Sequence, residues 1–222
     1  MDLGFFLSRD VISLCVLLPV ASHFLADLAK DNPVLVAIPY GIVFLWGLGI
    51  GIDIMRTSVH GQNRMQHWEE VFPARLSTKE TACRLVILGI GFLPFILYVS
   101  RVTLTLSEEP PNLAVAWLLL VWKDLYMIVV LPAFSVFGDW RLVFPGMSIP
   151  GLLRIGAPVR GLLAACSGLS LVCLGLLALY PQWSESILYA TFLTLFFLLA
   201  FLLQSRWIGA FYHRHMEQLR WF

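Results

Sequence analysis

The chain has 222 residues, of which 59% are hydrophobic and only 13% are charged, and its mean hydropathy is +0.82. A soluble domain carries about 25% charged residues, so a soluble fold of this size could not bury so much apolar surface. The net charge of +1 argues against the strongly basic surface that nucleic-acid binding requires. Composition therefore predicts an integral membrane protein whose main partner is the lipid bilayer.

Six apolar runs are each about 18 residues or longer, the length that crosses about 30 Å of hydrocarbon. The first run continues past residues 20–22, which resemble a signal-peptide cleavage site, so we expect it to be retained as a span. The prediction is one all-α membrane domain, residues 1–222, with transmembrane helices at residues 11–28, 34–54, 83–100, 113–137, 159–180 and 186–208.

Two pairs of small residues predict faces where helices pack closely. Gly47 and Gly51 lie in the second span with GxxxG spacing, which lets another helix approach the backbone. Ala164 and Gly168 repeat that spacing in the fifth span. The alternative is that such spacing arises by chance in spans that are rich in glycine.

Two polar amphipathic segments follow the second and fourth spans, at residues 55–82 and 138–157. Each contains the motif Trp-x-x-Val-Phe-Pro, and we predict that its aromatic residues anchor a helix at the membrane interface. The motif also suggests a parallel repeat of two helical pairs, unless it reflects coincidence or a general preference for aromatic residues at interfaces. The predicted anchors are Trp68, Phe72, Trp140 and Phe144.

Proline and capping signals mark the third span. Ser77 and Glu80 form a capping box, so a helix should start there. Pro94 should kink this helix, and the backbone carbonyl that it frees needs a partner inside the bundle.

The basic residues orient the predicted helices. With the N-terminus in the cytoplasm, only Lys30 and Arg101 fall outside, and Lys123 falls within the bilayer. The other twelve lie at the inner boundary, as the preference of Lys and Arg for cytoplasmic loops predicts. We therefore expect both termini to be cytoplasmic in a multi-pass protein of the cell inner (plasma) membrane. The twelve are Arg9, Arg56, Arg64, Arg75, Lys79, Arg84, Arg141, Arg154, Arg160, Arg206, Arg214 and Arg220.

Lys123 and Asp124 lie near the middle of the fourth span. A charge at this depth costs roughly 2.5–3.5 kcal/mol to insert, so it needs a partner. Because adjacent side chains point about 100° apart on a helix, we expect that these two cannot simply pair with each other. His23 and Asp27, on one face of the first span, could complete a polar cluster, or could be independently solvated or hydrogen-bonded. We favour a clamp between helices or subunits over an ion or proton path.

The sequence contains no GxSxG motif, Walker-type loop or pair of intramembrane aspartates. Neither His60 with His67 nor His213 with His215 has HExxH spacing, and only His23 is intramembrane, which argues against a bis-His haem. We therefore predict no catalytic residue, no metal site and no cofactor. The alternative is an enzyme that works at the cytoplasmic surface with His60, His67, Glu69 and Glu70.

Several loose patterns carry a family resemblance over residues 34–215: a Gly-rich span leading through Arg56 and Gly61 to Trp68, then Leu131-Pro-Ala-Phe, then Arg206-Trp-Ile-Gly-Ala-Phe-Tyr. The chain resembles a broad family of bacterial and archaeal polytopic membrane proteins that is defined only as a domain of unknown function. The resemblance implies a helical membrane domain with cytoplasmic amphipathic elements, and it implies no functional residues.

These features predict a non-catalytic subunit or scaffold of a larger membrane assembly, in contact with other membrane subunits or with itself. The alternative is a small solute or ion transporter, or a channel, that uses Lys123 and Asp124.

Overall fold

The computed structural model describes six stretches of the chain and three single residues. Within them every regular element is a helix and no strand occurs, which confirms the all-α class. The first predicted span lies outside the described residues except for Val20, and so do parts of both amphipathic segments. The described residues are 20, 47–61, 78–94, 97–98, 112–137, 141, 146, 149–178 and 187–219.

Seven α-helices follow one another along the described chain. The second continues directly into a π-helical turn, Leu88–Phe92. The α-helices are α1 (residues 47–59), α2 (Thr78–Ile87), α3 (Leu113–Phe137), α4 (Ile149–Ile155), α5 (Ala157–Ala178), α6 (Ile187–Arg214) and α7 (Met216–Leu219).

Three of these helices are long and apolar enough to cross a membrane, within Ala114–Phe137, Ala157–Leu176 and Leu195–Arg214. They correspond to the last three predicted spans. The helix α6 extends past the predicted boundary at residue 208 to Arg214. The extension exists because its last turns pack against protein: Ile208 and Tyr212 are fully buried.

The helix α3 forms the centre of the described bundle. Residues 126–135 are all buried, and α3 contacts α5, α6 and the π-helical turn. Half of the apolar stretch of α3 is buried, whereas only 28% of that of α5 is. Leu174 packs with Ala116 near the start of α3, and Leu162 belongs to the cluster that contains Phe134 near its end. The helices α3 and α5 are therefore antiparallel.

Pro94 frees the carbonyl of Ile90, because proline has no N–H group to donate to the residue four positions earlier. The indole Nε1 of Trp122 donates a hydrogen bond to that carbonyl at 3.1 Å. Beside it, a Cβ atom added to Gly91 would lie 2.5 Å from the Tyr126 ring, so the π-helical turn presses closely onto α3. The freed carbonyl therefore has the partner that the sequence predicted, and α3 supplies it from an exposed side chain.

The same arrangement recurs inside α3. Pro132 lies within this helix and frees the carbonyl of Ile128. The hydroxyl of Tyr212, which is buried on α6, donates to that carbonyl at 2.7 Å. The carbonyls that Pro94 and Pro132 free therefore each receive an aromatic donor from another helix, which satisfies a backbone group that lipid could not.

The helices α1, α3 and α6 end on the same side of the bundle. Near the end of α1, Arg56 Nε donates to the carbonyl of Ser135 at 2.7 Å, close to the end of α3. Arg206 Nη1 donates to Ser58 Oγ at 2.6 Å, which joins the last turns of α6 to α1. Gly61 then turns the chain with a φ of +71°, a conformation that favours glycine.

Candidate functional site

The charged pair of α3 lies inside the apolar bundle. The Asp124 side chain is completely buried, and the Lys123 side chain is 13% exposed. The surrounding helix is otherwise built almost entirely from apolar and aromatic residues, and it carries no other charged side chain. The partners must therefore come from the two charged residues themselves or from neighbouring helices.

Lys123 Nζ lies 3.0 Å from Asp124 Oδ1, so the adjacent residues form an ion pair. The expectation that they could not pair was wrong. Their Cβ directions do diverge, but the four-carbon stem of lysine is long enough to curl along the helix surface and bring the ammonium to its neighbour. The pair is therefore neutral as a unit.

Two other helices complete the coordination of the ammonium group. Lys123 Nζ donates to Ser170 Oγ on α5 and to Gln204 Oε1 on α6, each at 3.2 Å. An ammonium group has three N–H donors and no acceptor. With Asp124 Oδ1 as the third acceptor, all three donors of Lys123 are used.

Ser170 and Gln204 also contact the carboxylate. Ser170 Oγ donates to Asp124 Oδ1 at 3.1 Å, and Gln204 Nε2 lies 3.3 Å from the same oxygen. Gln204 Nε2 further lies 3.0 Å from both Ser170 Oγ and the Cys166 carbonyl. Lys123, Asp124, Ser170, Gln204 and the carbonyl of Cys166 form what we call the polar cluster, which joins α3, α5 and α6.

Sequence reasoning missed two side chains of this cluster and its one backbone carbonyl. Gln204 carried a usable signal, because it is an amide in a helix of mostly Leu and Phe, where a polar group needs a partner. Ser170 carried none, because a serine can satisfy its hydroxyl on the preceding turn of its own helix. Cys166 contributes only its backbone carbonyl, which no side-chain pattern predicts.

Three buried polar atoms have no hydrogen-bond partner in the described part of the chain. They are Asp124 Oδ2, Ser167 Oγ and Trp207 Nε1, one on each of the three helices. Leaving such a group unpaired costs about 1–3 kcal/mol. Asp124 Oδ2 is the one that belongs to the polar cluster.

Several predicted site residues lie outside the described residues. His23 and Asp27 are among them, so the proposed cluster of four charged or titratable residues stays a prediction. The predicted anchors Trp68, Phe72, Trp140 and Phe144 are also outside.

The two predicted packing pairs occupy different environments. A Cβ atom added to Gly47 would lie 2.8 Å from Leu198, and one added to Gly51 would overlap the Phe201 ring, so both glycines face α6 closely. On α5, Ala164 and Gly168 are exposed, and a Cβ atom added to Gly168 would meet nothing within 4 Å.

No group of three or more His, Cys, Asp or Glu side chains that could hold a metal ion occurs in the described ranges. Cys83, Cys166 and Cys173 are free and buried. His213 Nδ1 lies 2.9 Å from the carbonyl of Val59, and His215 Nδ1 lies 2.9 Å from that of Phe211, so each histidine contacts a helix end.

The polar cluster can hold three helices together and can compensate two charges within the bundle. No family model, curated protein sequence or solved structure matches the chain. The family resemblance therefore stays a prediction, and the geometry of the site carries the functional argument.

Proposed function

We propose that this protein is a six-span membrane protein of the cell inner membrane with both termini in the cytoplasm. In such a topology the second, fourth and sixth spans run in the same direction. The helices α1, α3 and α6, which correspond to those spans, end on one side of the bundle, where Arg56 and Arg206 bind α3 and α1. Basic residues at that end support its placement on the cytoplasmic side.

Within this topology we propose a non-catalytic subunit or scaffold of a larger membrane assembly. The polar cluster carries the proposal, because its two charges compensate each other and every cluster donor has an acceptor within the chain. A pair that is satisfied in this way ties helices together and needs no substrate ion for its stability. The partners are lipid and either other membrane subunits or further copies of this chain.

Purification of the native protein in mild detergent, followed by mass spectrometry of whatever remains bound, tests this proposal. We expect other membrane subunits to be recovered in stoichiometric amounts. An unrelated six-span protein that is purified in the same way is the control and should not recover them. Recovery of the chain alone, as a monomer of defined size, would contradict a role as a subunit.

A small transporter or channel is the second candidate, and the unpaired Asp124 Oδ2 favours it. A buried ionisable group with a free oxygen is a common feature of intramembrane transport paths. Flux through liposomes that contain the purified chain tests this candidate. The paired variant Lys123→Met/Asp124→Asn removes both charges at once, so no uncompensated charge remains. For a transporter, flux should be lost while the variant still assembles; for a scaffold, neither protein should conduct.

A further inference from the structure

The charges of the three long apolar helices are distributed unevenly along them. Apart from the ion pair of Lys123 and Asp124, the charged side chains of α3, α5 and α6 are all arginines. Arg160 lies near the start of α5, and Arg206 and Arg214 lie in the second half of α6. Since α5 is antiparallel to α3 and α6, these positions fall at one end of the bundle, which we call the basic end.

The polar cluster defines the depth of the basic end. Ser170 and Gln204 contact each other at 3.0 Å, and both contact Asp124, which lies next to the middle of α3. Arg160 precedes Ser170 by ten residues and Arg214 follows Gln204 by ten, so both backbones lie about 15 Å from the cluster in the same direction. This distance is half of the roughly 30 Å of hydrocarbon in a bilayer. With the cluster at the bilayer centre, both arginines lie where the lipid headgroups begin.

A third arginine reaches a similar depth from another helix. Arg56 Nε donates to the carbonyl of Ser135 at 2.7 Å. Ser135 follows Asp124 by eleven residues on α3, so the Arg56 guanidinium lies about 16 Å from the polar cluster. The helices α1, α5 and α6 therefore each bring one arginine to the boundary between hydrocarbon and headgroups.

Arg160 and Arg214 point to different sides of the bundle. Both side chains are exposed, and neither forms a hydrogen bond or an ion pair within the described part of the chain. Because α5 and α6 are antiparallel, equal steps of ten residues from the contact between Ser170 and Gln204 turn the two arginines to opposite sides of the helix pair. One small anion therefore cannot bridge them, whereas a layer of lipid headgroups around the bundle meets each of them.

Positive charge exceeds negative charge among the described side chains at this end. The carboxylates there are those of Asp53, which has a partner, and of Glu217, which is exposed on α7. The described arginines outnumber them, so the basic end is complementary to an anionic surface. These arginines are Arg56, Arg141, Arg154, Arg160, Arg206 and Arg214.

We propose that the basic end selects anionic phospholipids, and that Arg56, Arg160 and Arg214 form a belt of cations at the depth of the headgroup phosphates. A guanidinium group suits this role because it forms paired hydrogen bonds to phosphate oxygens. A basic residue beside a membrane-spanning helix raises the binding of anionic lipid about fivefold. The inference rests on the membrane-spanning arrangement proposed above, and it adds the class of lipid that the chain binds.

Electron paramagnetic resonance of spin-labelled lipids tests this proposal on the purified full chain in phosphatidylcholine liposomes. The probe is spin-labelled phosphatidylglycerol, and spin-labelled phosphatidylcholine is the reference. The measurement gives the fraction of each label that is immobilised at the protein surface, and hence its relative association constant. We expect the wild type to prefer phosphatidylglycerol severalfold, and we expect the preference to fall as added salt screens the arginines.

Two double variants test the belt. Arg160→Gln/Arg214→Gln removes two exposed cations, so the fold should be retained while the preference falls by up to about fivefold, since each lipid meets one arginine at a time. Arg160→Lys/Arg214→Lys keeps both charges and should keep the preference. Glu217→Gln, which removes an exposed carboxylate at the same end, is the matched control and should not lower it.

Equal association of the two lipids with the wild type would overturn the proposal and would favour an acidic protein partner for these arginines. A preference that the glutamine variant retains in full, or that the lysine variant loses, would also overturn it. These results do not depend on the pull-down or on the flux measurement, so lipid selection can fail while either proposed function stands. A chain that cannot be reconstituted into liposomes would instead contradict the membrane topology itself, and lipid selection with it.

Discussion

Two helix faces, one on α1 and one on α5, both contain several glycines but have opposite environments. On α1, Gly47 and Gly51 lie so close to α6 that an added methyl group would collide with Leu198 or Phe201. On α5, glycines recur every seven residues at positions 161, 168 and 175, and an added Cβ atom at any of them would meet no atom of the described residues within 4 Å.

The difference teaches that small residues permit close packing but do not select the partner. The face on α1 is used because α6 brings a complementary glycine, Gly209, against the α1 backbone at Met55. The face on α5 points away from α3 and α6, since the polar cluster holds the opposite side of α5 toward them. No described residue covers this face.

Of the substitutions at the interface between α1 and α6, Gly209→Ala should have the largest effect on stability. Its Cβ atom would lie 2.8 Å from the Met55 carbonyl oxygen and 2.5 Å from Ser58 Cβ, and backbone cannot move aside as a side chain can. We expect a loss of about 3 kcal/mol in the free energy of unfolding, at the upper end for overpacking. A folded, wild-type-like protein in detergent unfolding measurements would show that α1 and α6 are not in contact here.

Gly51→Ala should have a smaller effect at the same interface. Its Cβ atom would meet the tip of the Phe201 ring, which can rotate, and Ser205 Oγ at 2.9 Å. We expect about 1–2 kcal/mol of destabilisation. The double variant Gly51→Ala/Phe201→Leu should regain part of that loss, because the shorter side chain makes room. A double variant that is less stable than the sum of both changes would contradict this steric explanation.

Tyr212→Phe tests a hydrogen bond of α6 close to its interface with α1. It removes the donor to the Ile128 carbonyl, which Pro132 leaves free. Hydrogen bonds between membrane helices contribute about 0.6 kcal/mol on average, so we expect a loss of about 1 kcal/mol for this short, buried one. Thermal unfolding in detergent measures it.

A double-mutant cycle supplies the control for that prediction. In Pro132→Ala the new backbone N–H can bond Ile128 itself, so Tyr212→Phe should then cost almost nothing. An equal cost in both backgrounds would show that the Tyr212 hydroxyl does not replace the bond that proline removes.

Gly168→Ala should have the smallest effect on stability, and it tests whether the glycine face on α5 is really uncovered. An added methyl group meets nothing, and alanine favours a helix over glycine by up to about 1 kcal/mol in water. We expect unfolding that is unchanged or slightly delayed. A loss of stability comparable to that of Gly209→Ala would mean that another helix covers this face. If that loss depends on protein concentration, the covering helix belongs to a second copy; if it does not, the helix belongs to the same chain.

Sequence patterns predicted the elements better than their contacts. The span at residues 113–137 coincides with α3, because a long apolar run flanked by polar residues specifies both ends of a helix in lipid. That the carbonyl freed by Pro94 would need a partner was also predictable, although the choice of Trp122 as the donor to this Ile90 carbonyl was not. The end of α6 was harder to predict, since residues 209–214 are polar enough to lie at the membrane interface. They continue the helix because they pack on α1 and α3.

The sequence by itself determined that the chain is apolar enough for a bilayer, that its regular elements in the described part are helices, and that one of them, α3, carries two charges near its middle. Those properties follow from composition and from spacing along one helix. Only the tertiary structure decided that Lys123 pairs with Asp124, that Ser170 and Gln204 complete the cluster, and that one glycine face is covered while no described residue covers the other. These depend on which helices meet and at what depth, and residues as far apart in the chain as Asp124 and Gln204 leave no local pattern that records their contact.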